Sequence, residues 1–146
     1  MSNPADSLTL RLARPEEHDE LEELQRRASL ELPEYRDQLI AHPNAIYLPQ
    51  GQIANGQVIV AEIAGEIVGF AAVVGGELDG LFVEPDLWGG GIGRLLVDAA
   101  THEARRRGLA LTVIANPRAR RFYEHCGFTA EGTEQTRFGP GIRMTK

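Results

Sequence analysis

The sequence is poor in cysteine, in serine and in basic charge, and it has no long apolar run. Cys126 is the only cysteine among 146 residues, which excludes a disulfide framework and a cysteine-ligated zinc site. The only serines are Ser2, Ser7 and Ser29. None lies in a Gly-x-Ser-x-Gly elbow, so serine-hydrolase chemistry is excluded. Basic residues number 15 against 21 acidic ones, a net charge of −6. That balance argues against a general nucleic-acid partner. Apolar stretches such as Phe70 to Val74 are too short to cross a bilayer, so no membrane partner is expected. The opening Met-Ser-Asn-Pro-Ala-Asp has no basic segment leading into an apolar one, and a cytoplasmic protein is expected. His18, His42, His102 and His125 lack metal-ligand spacing, so no metal is expected either. Cys126, before Gly127 at a helix end, reads as a packing residue.

Glycine is what the chain has in excess, 16 residues or about 11% against a usual value near 7%. Four of them fall between Gly89 and Gly93. The length fits one domain over residues 1–146, large enough to fold on its core alone. Leu8, Leu10 and Leu12 alternate with polar residues, predicting a half-buried strand. Pro15, Glu16 and Glu17 then suit a helix start, and Leu21, Leu24 and Ala28 give an amphipathic helix to about Ser29. Pro33 interrupts it, and a shorter helix follows over residues 35–41. Residues 42–57 read as a long connection. Three strands in a meander are predicted at 58–63, 67–74 and 77–83. Ile92, Leu95, Leu96 and Ala99 mark a helix stopped by Gly108. A strand over 109–115, a helix opened by Asn116-Pro117 and closed by Gly127, and one or two weaker strands complete the chain. The expected class is α/β (α+β), a mixed sheet of six to seven strands flanked by about four helices.

The run from Leu81 to Arg94 is a strand, a glycine turn and a helix start. Such a turn aims successive backbone N–H groups at one point, and the helix N-terminus behind it adds unpaired donors, so a phosphate or pyrophosphate is the expected guest. Gly93 is followed by Arg94-Leu95, which is not a Walker sequence, and the spacing is not Gly-x-Gly-x-x-Gly. The cluster also follows an antiparallel meander rather than a first βαβ unit.

Val83-Glu84-Pro85 followed by Trp88-Gly89-Gly90-Gly91-Ile92-Gly93-Arg94-Leu95-Leu96 resembles the pyrophosphate loop of the GNAT superfamily of acyl-CoA-dependent N-acyltransferases. A second signature is similar too: Asn116-x-x-Ala119-x-x-x-Tyr123-Glu124-x-x-Gly127-Phe128. Trp88 departs from the family, which carries Gln or Arg there. The resemblance implies a single GNAT-like domain that moves an acetyl group from acetyl-CoA to an amine. The backbone from Gly89 through Gly90, Gly91, Ile92, Gly93 and Arg94 would hold the pyrophosphate, and Phe82 and Val83 would pair with the pantetheine arm. A small-molecule amine is the expected acceptor. A protein acetyltransferase and a non-catalytic acyl-CoA-binding module are the alternatives. Homodimers are common in the family, so the resemblance admits a homodimer.

Asn116, Ala119 and Tyr123 share one face of the predicted helix. Asn116 reads equally as a helix cap or a ligand contact. Family resemblance makes Tyr123 the acid that protonates the departing thiolate. A base is also needed, because an ammonium cannot attack a thioester. Glu77 and Asp79 share a strand face. Glu77 matches the family position of a strand carboxylate acting directly or through water, and Asp79 is the alternative. Tyr35 and Glu31 are substrate-side candidates by family analogy. Arg118, Arg120 and Arg121 read as a solvated helix face or as partners of the coenzyme's 3′-phosphate.

Overall fold

The computed structural model describes residues 7–146. Seven strands form one sheet in the order β1-β2-β3-β4-β5-β7-β6. They are β1 (Leu8–Leu12), β2 (Val58–Ile63), β3 (Glu66–Val74), β4 (Glu77–Val83), β5 (Thr112–Ala115), β6 (Thr129–Thr136) and β7 (Gly139–Thr145). Every pairing is antiparallel except that of β4 with β5. The helices are α1 (His18–Leu30), α2 (Pro33–Ala41), α3 (Gln50–Ala54), α4 (Ile92–Arg106) and α5 (Arg120–His125). Among the described residues there are thus five α-helices where four were expected. The fifth, α3, lies inside the stretch read as connection. Five residues that include Gly51 are too short to display a helical period.

The centre of the sheet is buried on both faces. On one side Leu21 and Leu24 of α1 and Ile53 of α3 pack with Val58, Val60, Phe70 and Ala72. On the other, Ile92, Leu96, Val97, Ala100 and Ala104 of α4 pack on Ala71, Val73, Leu78 and Val113, with Tyr123 and Phe128 in the same cluster. The continuous apolar run of β3 follows from this sandwiching, because both of its faces meet helices. The end of α4 is set by Gly108 at φ 75°, with the Leu109 N–H donating to Ala104 and the Gly108 N–H to Arg105. That is a Schellman termination.

β1 forms as expected, but its leucine face is not buried. Leu10 and Leu12 are exposed, while Arg11 is clamped between Glu17 and Glu62. The strand is the sheet edge, where helix cover gives out. β5 begins at Thr112, later than the expected 109.

Leu96 has no solvent exposure and sits at the centre of the α4 face. Leu96→Ala should cost about 3 kcal/mol and lower Tm by roughly 10 °C. A thermal melt showing a loss below about 1 kcal/mol would contradict the packing described.

Candidate active site

The one parallel contact in the sheet is its weakest. β4 and β5 pair only at Glu77 with Thr112, where the Thr112 N–H donates to the Gly76 carbonyl at 2.7 Å. Beyond that point the strands part. A register shift between Ala72 and Val73 on β3 leaves Asp79 as an extra residue on β4. Such a bulge bends and twists its strand. From the bulge to Val83, β4 is paired to β3 alone, so one row of its backbone groups faces an open cleft. Parity identifies the row. The Glu84 N–H donates to Val68 of β3, and the Phe82 carbonyl points toward Gly69. The N–H and C=O groups of Leu81 and Val83 therefore point the other way, into the cleft. Phe82, expected to pair through its backbone, turns those groups to β3.

A 3₁₀ turn at Pro85–Leu87 carries β4 into the glycine loop. Gly89 and Gly91 have φ of 85° and 91°, a region other residues enter at a cost. Gly91 is the N-cap of α4, and its carbonyl accepts the Leu95 N–H. Among the described residues, the N–H groups of Gly89, Gly91, Ile92, Gly93 and Arg94 find no acceptor. Gly90 differs, because its N–H is spent on the Leu87 carbonyl. Five free donors at a helix N-terminus form an anion cradle.

Two cavities adjoin this frame. The first, about 580 Å³, runs along the loop past Val83, Gly89, Gly91, Gly93 and Arg94. The second, about 560 Å³, occupies the splay between β4 and β5, and Asp79, Asn116 and Tyr123 line it. Ser29, Leu32, Tyr35, Leu81, Phe82, Trp88 and Ala119 line both, so the cavities meet at the middle of the β4 edge.

Tyr123 is buried in the wall of the splay cavity, with edge-on contacts to Phe122 and Phe128 at centroid distances of 5.1 and 5.3 Å. Burial pushes its phenol well above the ordinary value, so the group stays protonated at neutral pH. Asp79 takes a hydrogen bond from the Gln52 side chain of α3 at 2.9 Å. Glu77 is not brought to the cleft. It is exposed at the far end of β4, roughly 16 Å along the strand from Phe82. Of the two carboxylates expected on one strand face, Asp79 lines the splay cavity and Glu77 lines neither cavity.

Asn116 caps the turn before α5, accepting the Arg118 N–H at 3.1 Å. It lines the splay cavity rather than the glycine loop, and its amide donates to Glu34 of α2 at 3.0 Å. Arg118 also donates to Glu34, at 2.9 Å. The Asn116 amide foremost, with the Arg118 guanidinium, holds the Glu34 carboxyl below its usual range. Tyr35 packs on Phe138 at 5.0 Å. These two ties draw α2 over the splay. Glu31 is exposed and lines neither cavity. Arg120 pairs with Glu124 on its own helix. Sequence reasoning missed Glu34, Gln52, Ser29 and Leu32, none of which lies in a motif.

An unpaired strand edge running into a donor-rich helix N-terminus, with two cavities beside it, suits an extended ligand with an anionic end. The acetyltransferase (GNAT) domain family matches residues 31–146, and the chain belongs to that family. A crystal structure of a GCN5-related N-acetyltransferase from Rhodopseudomonas palustris is 30% identical, covering 100% of this chain and 96% of that one, with a TM-score of 0.77. The PaiA N-acetyltransferase of Thermoplasma acidophilum, solved with coenzyme A, shares the fold at 20% identity and a TM-score of 0.76, over 96% of this chain and 98% of that one. The peptidyl-lysine N-acetyltransferase YjaB of Salmonella typhimurium is 39% identical over 71 residues. That match spans about half of each chain, 48% in both cases.

Burial of a neutral phenol has a sign in pH. The raised value for Tyr123 favours folding below about pH 10, and the benefit is lost as pH rises toward the folded value. Tyr123→Phe should therefore melt within about 1 kcal/mol of the unaltered protein at pH 7 and lose less stability above about pH 10. An equal alkaline loss in both proteins, measured by thermal melts across pH, would contradict this.

Proposed function

We propose that this protein transfers the acetyl group of acetyl-CoA to a primary amine by direct attack. The observation that carries the reading is the continuity of the free β4 edge with the donor-rich glycine loop. Amides along an extended pantetheine arm match a strand edge that lacks a neighbour, and a pyrophosphate matches the N–H groups of Gly89 and Gly91 through Arg94. This course brings the thioester to the junction of the cavities, beside Tyr123. N–H groups of the β4 edge polarise the thioester carbonyl.

The acceptor enters through the splay cavity. Its walls include Leu32, Leu39, Ile46, Ile114 and Phe138, and Asp79 is the single carboxylate among its lining residues. An alkyl stem ending in an ammonium fits that lining. Asp79 draws in the cation and passes its proton to solvent, freeing the nitrogen lone pair. The nitrogen attacks the carbonyl carbon, the nitrogen of the tetrahedral adduct gives its second proton to solvent, the adduct collapses, and the carbon–sulfur bond breaks. Tyr123 gives its proton to the leaving sulfur, and solvent restores it. The products are an N-acetyl amide and coenzyme A.

A lysyl side chain is an ammonium of this kind. The peptidyl-lysine activity named for the Salmonella relative favours it, and a small alkylamine shares the chemistry. A panel of alkylamines and lysine peptides, incubated with acetyl-CoA and assayed for free thiol, tests the reaction. Turnover with at least one amine is expected, and none with any acceptor, despite bound donor, would favour a binding module.

The base is tested separately. Asp79→Asn should lower kcat/KM for the amine by roughly 100-fold, whereas Glu77→Gln should stay within about twofold. The reverse ranking would restore Glu77 as the base.

A further inference from the structure

Trp88, the chain's one tryptophan, has no role in the chemistry above, yet it makes a specific contact. Its indole N–H donates to the Val83 carbonyl at 2.8 Å. That carbonyl belongs to the cleft-facing row of β4, so the indole nitrogen stands where a strand partner, or a ligand amide, would place its own N–H. The ring is half exposed at 50% and lines both cavities. It lies between a 3₁₀ turn and Gly89, whose φ of 85° begins the loop. An indole donates and cannot accept, so it satisfies the orphan carbonyl while leaving the N–H groups of the row free.

Accepting the proposed donor, we infer that Trp88 is a placeholder for the pantetheine arm. In the free protein it caps the Val83 carbonyl, which would otherwise be an unpaired acceptor on an open edge. When coenzyme A arrives, an amide N–H of the arm takes that carbonyl and the indole swings outward. Each binding event then exchanges one hydrogen bond for another, so Trp88 lowers donor affinity. A ligand with the pyrophosphate but no arm leaves the contact intact.

Calorimetry on Trp88→Phe tests this, because the variant keeps an aromatic ring and loses the donor. Coenzyme A should bind the variant about two- to tenfold more tightly than the unaltered protein. Adenosine 3′-phosphate 5′-diphosphate, which lacks the arm, should bind both equally. Weaker or unchanged coenzyme A binding by the variant, or an equal change for both ligands, would overturn the placeholder and make Trp88 a loop-shaping residue. The unaltered protein gives a second reading that needs no variant. Its tryptophan emission should shift with coenzyme A and far less with the truncated ligand, and equal responses to both would overturn the inference. If the unaltered protein bound neither, the donor itself would be wrong and the placeholder would fall with it.

Discussion

The pairing of β4 with β5 stops at Glu77 and Thr112, and the rest of the site follows from that interruption. A parallel ladder continued to Val83 would consume the backbone groups of Leu81 and Val83 and close the space between the strands. Instead β5 turns to β7, pairing from Thr112 with Thr145 to Ala115 with Ile142, while β4 keeps only β3. The sheet thus carries an internal edge. Exposed edges invite strand addition, and here the edge is recessed between α2 and α5, so that it can accept an extended ligand and not another sheet.

The second constraint lies at the end of that edge. The chain must reverse from β4 into α4 within a few residues and leave N–H groups unspent. Positive φ at Gly89 and Gly91 permits the reversal, and α4 is held in place by the Leu96 and Val97 packing beneath it. Rigidity of the α4 core and openness of the loop are therefore complementary, one fixing the direction of the donors that the other exposes. Across the cleft, Glu34 with Asn116 and Arg118, and Tyr35 with Phe138, hold α2 over the splay cavity. The Arg27 pair with Glu84, at 2.6 Å, joins α1 to the start of the loop.

Features that depend on local period or on glycine were legible in the sequence. The meander, α4 with its glycine stop, the loop and the cap at Asn116 all announce themselves within a dozen residues. Asp79 is the extra residue of a bulge and lines the cavity, Glu77 stands where β4 still pairs with β5, and nothing in Glu-Leu-Asp-Gly marks a bulge. The contact of Asn116 with Glu34 joins residues 82 positions apart, beyond any spacing rule. Burial of β1 was misjudged for a related reason, since alternation shows that a strand has two faces but not whether a helix covers either. Trp88 stands where the family carries Gln or Arg, and its indole supplies a donor that it uses on Val83.

The central claim is that the free β4 edge and the glycine loop together hold the donor. A backbone amide NMR titration with acetyl-CoA measures this directly, residue by residue. The amides of Leu81 and Val83 should shift together with those of Gly89 and Gly91 through Arg94, while those of the outer β1 and β6 strands stay fixed. Shifts confined to other surfaces, or none in the β4 edge and the loop at saturation, would contradict it.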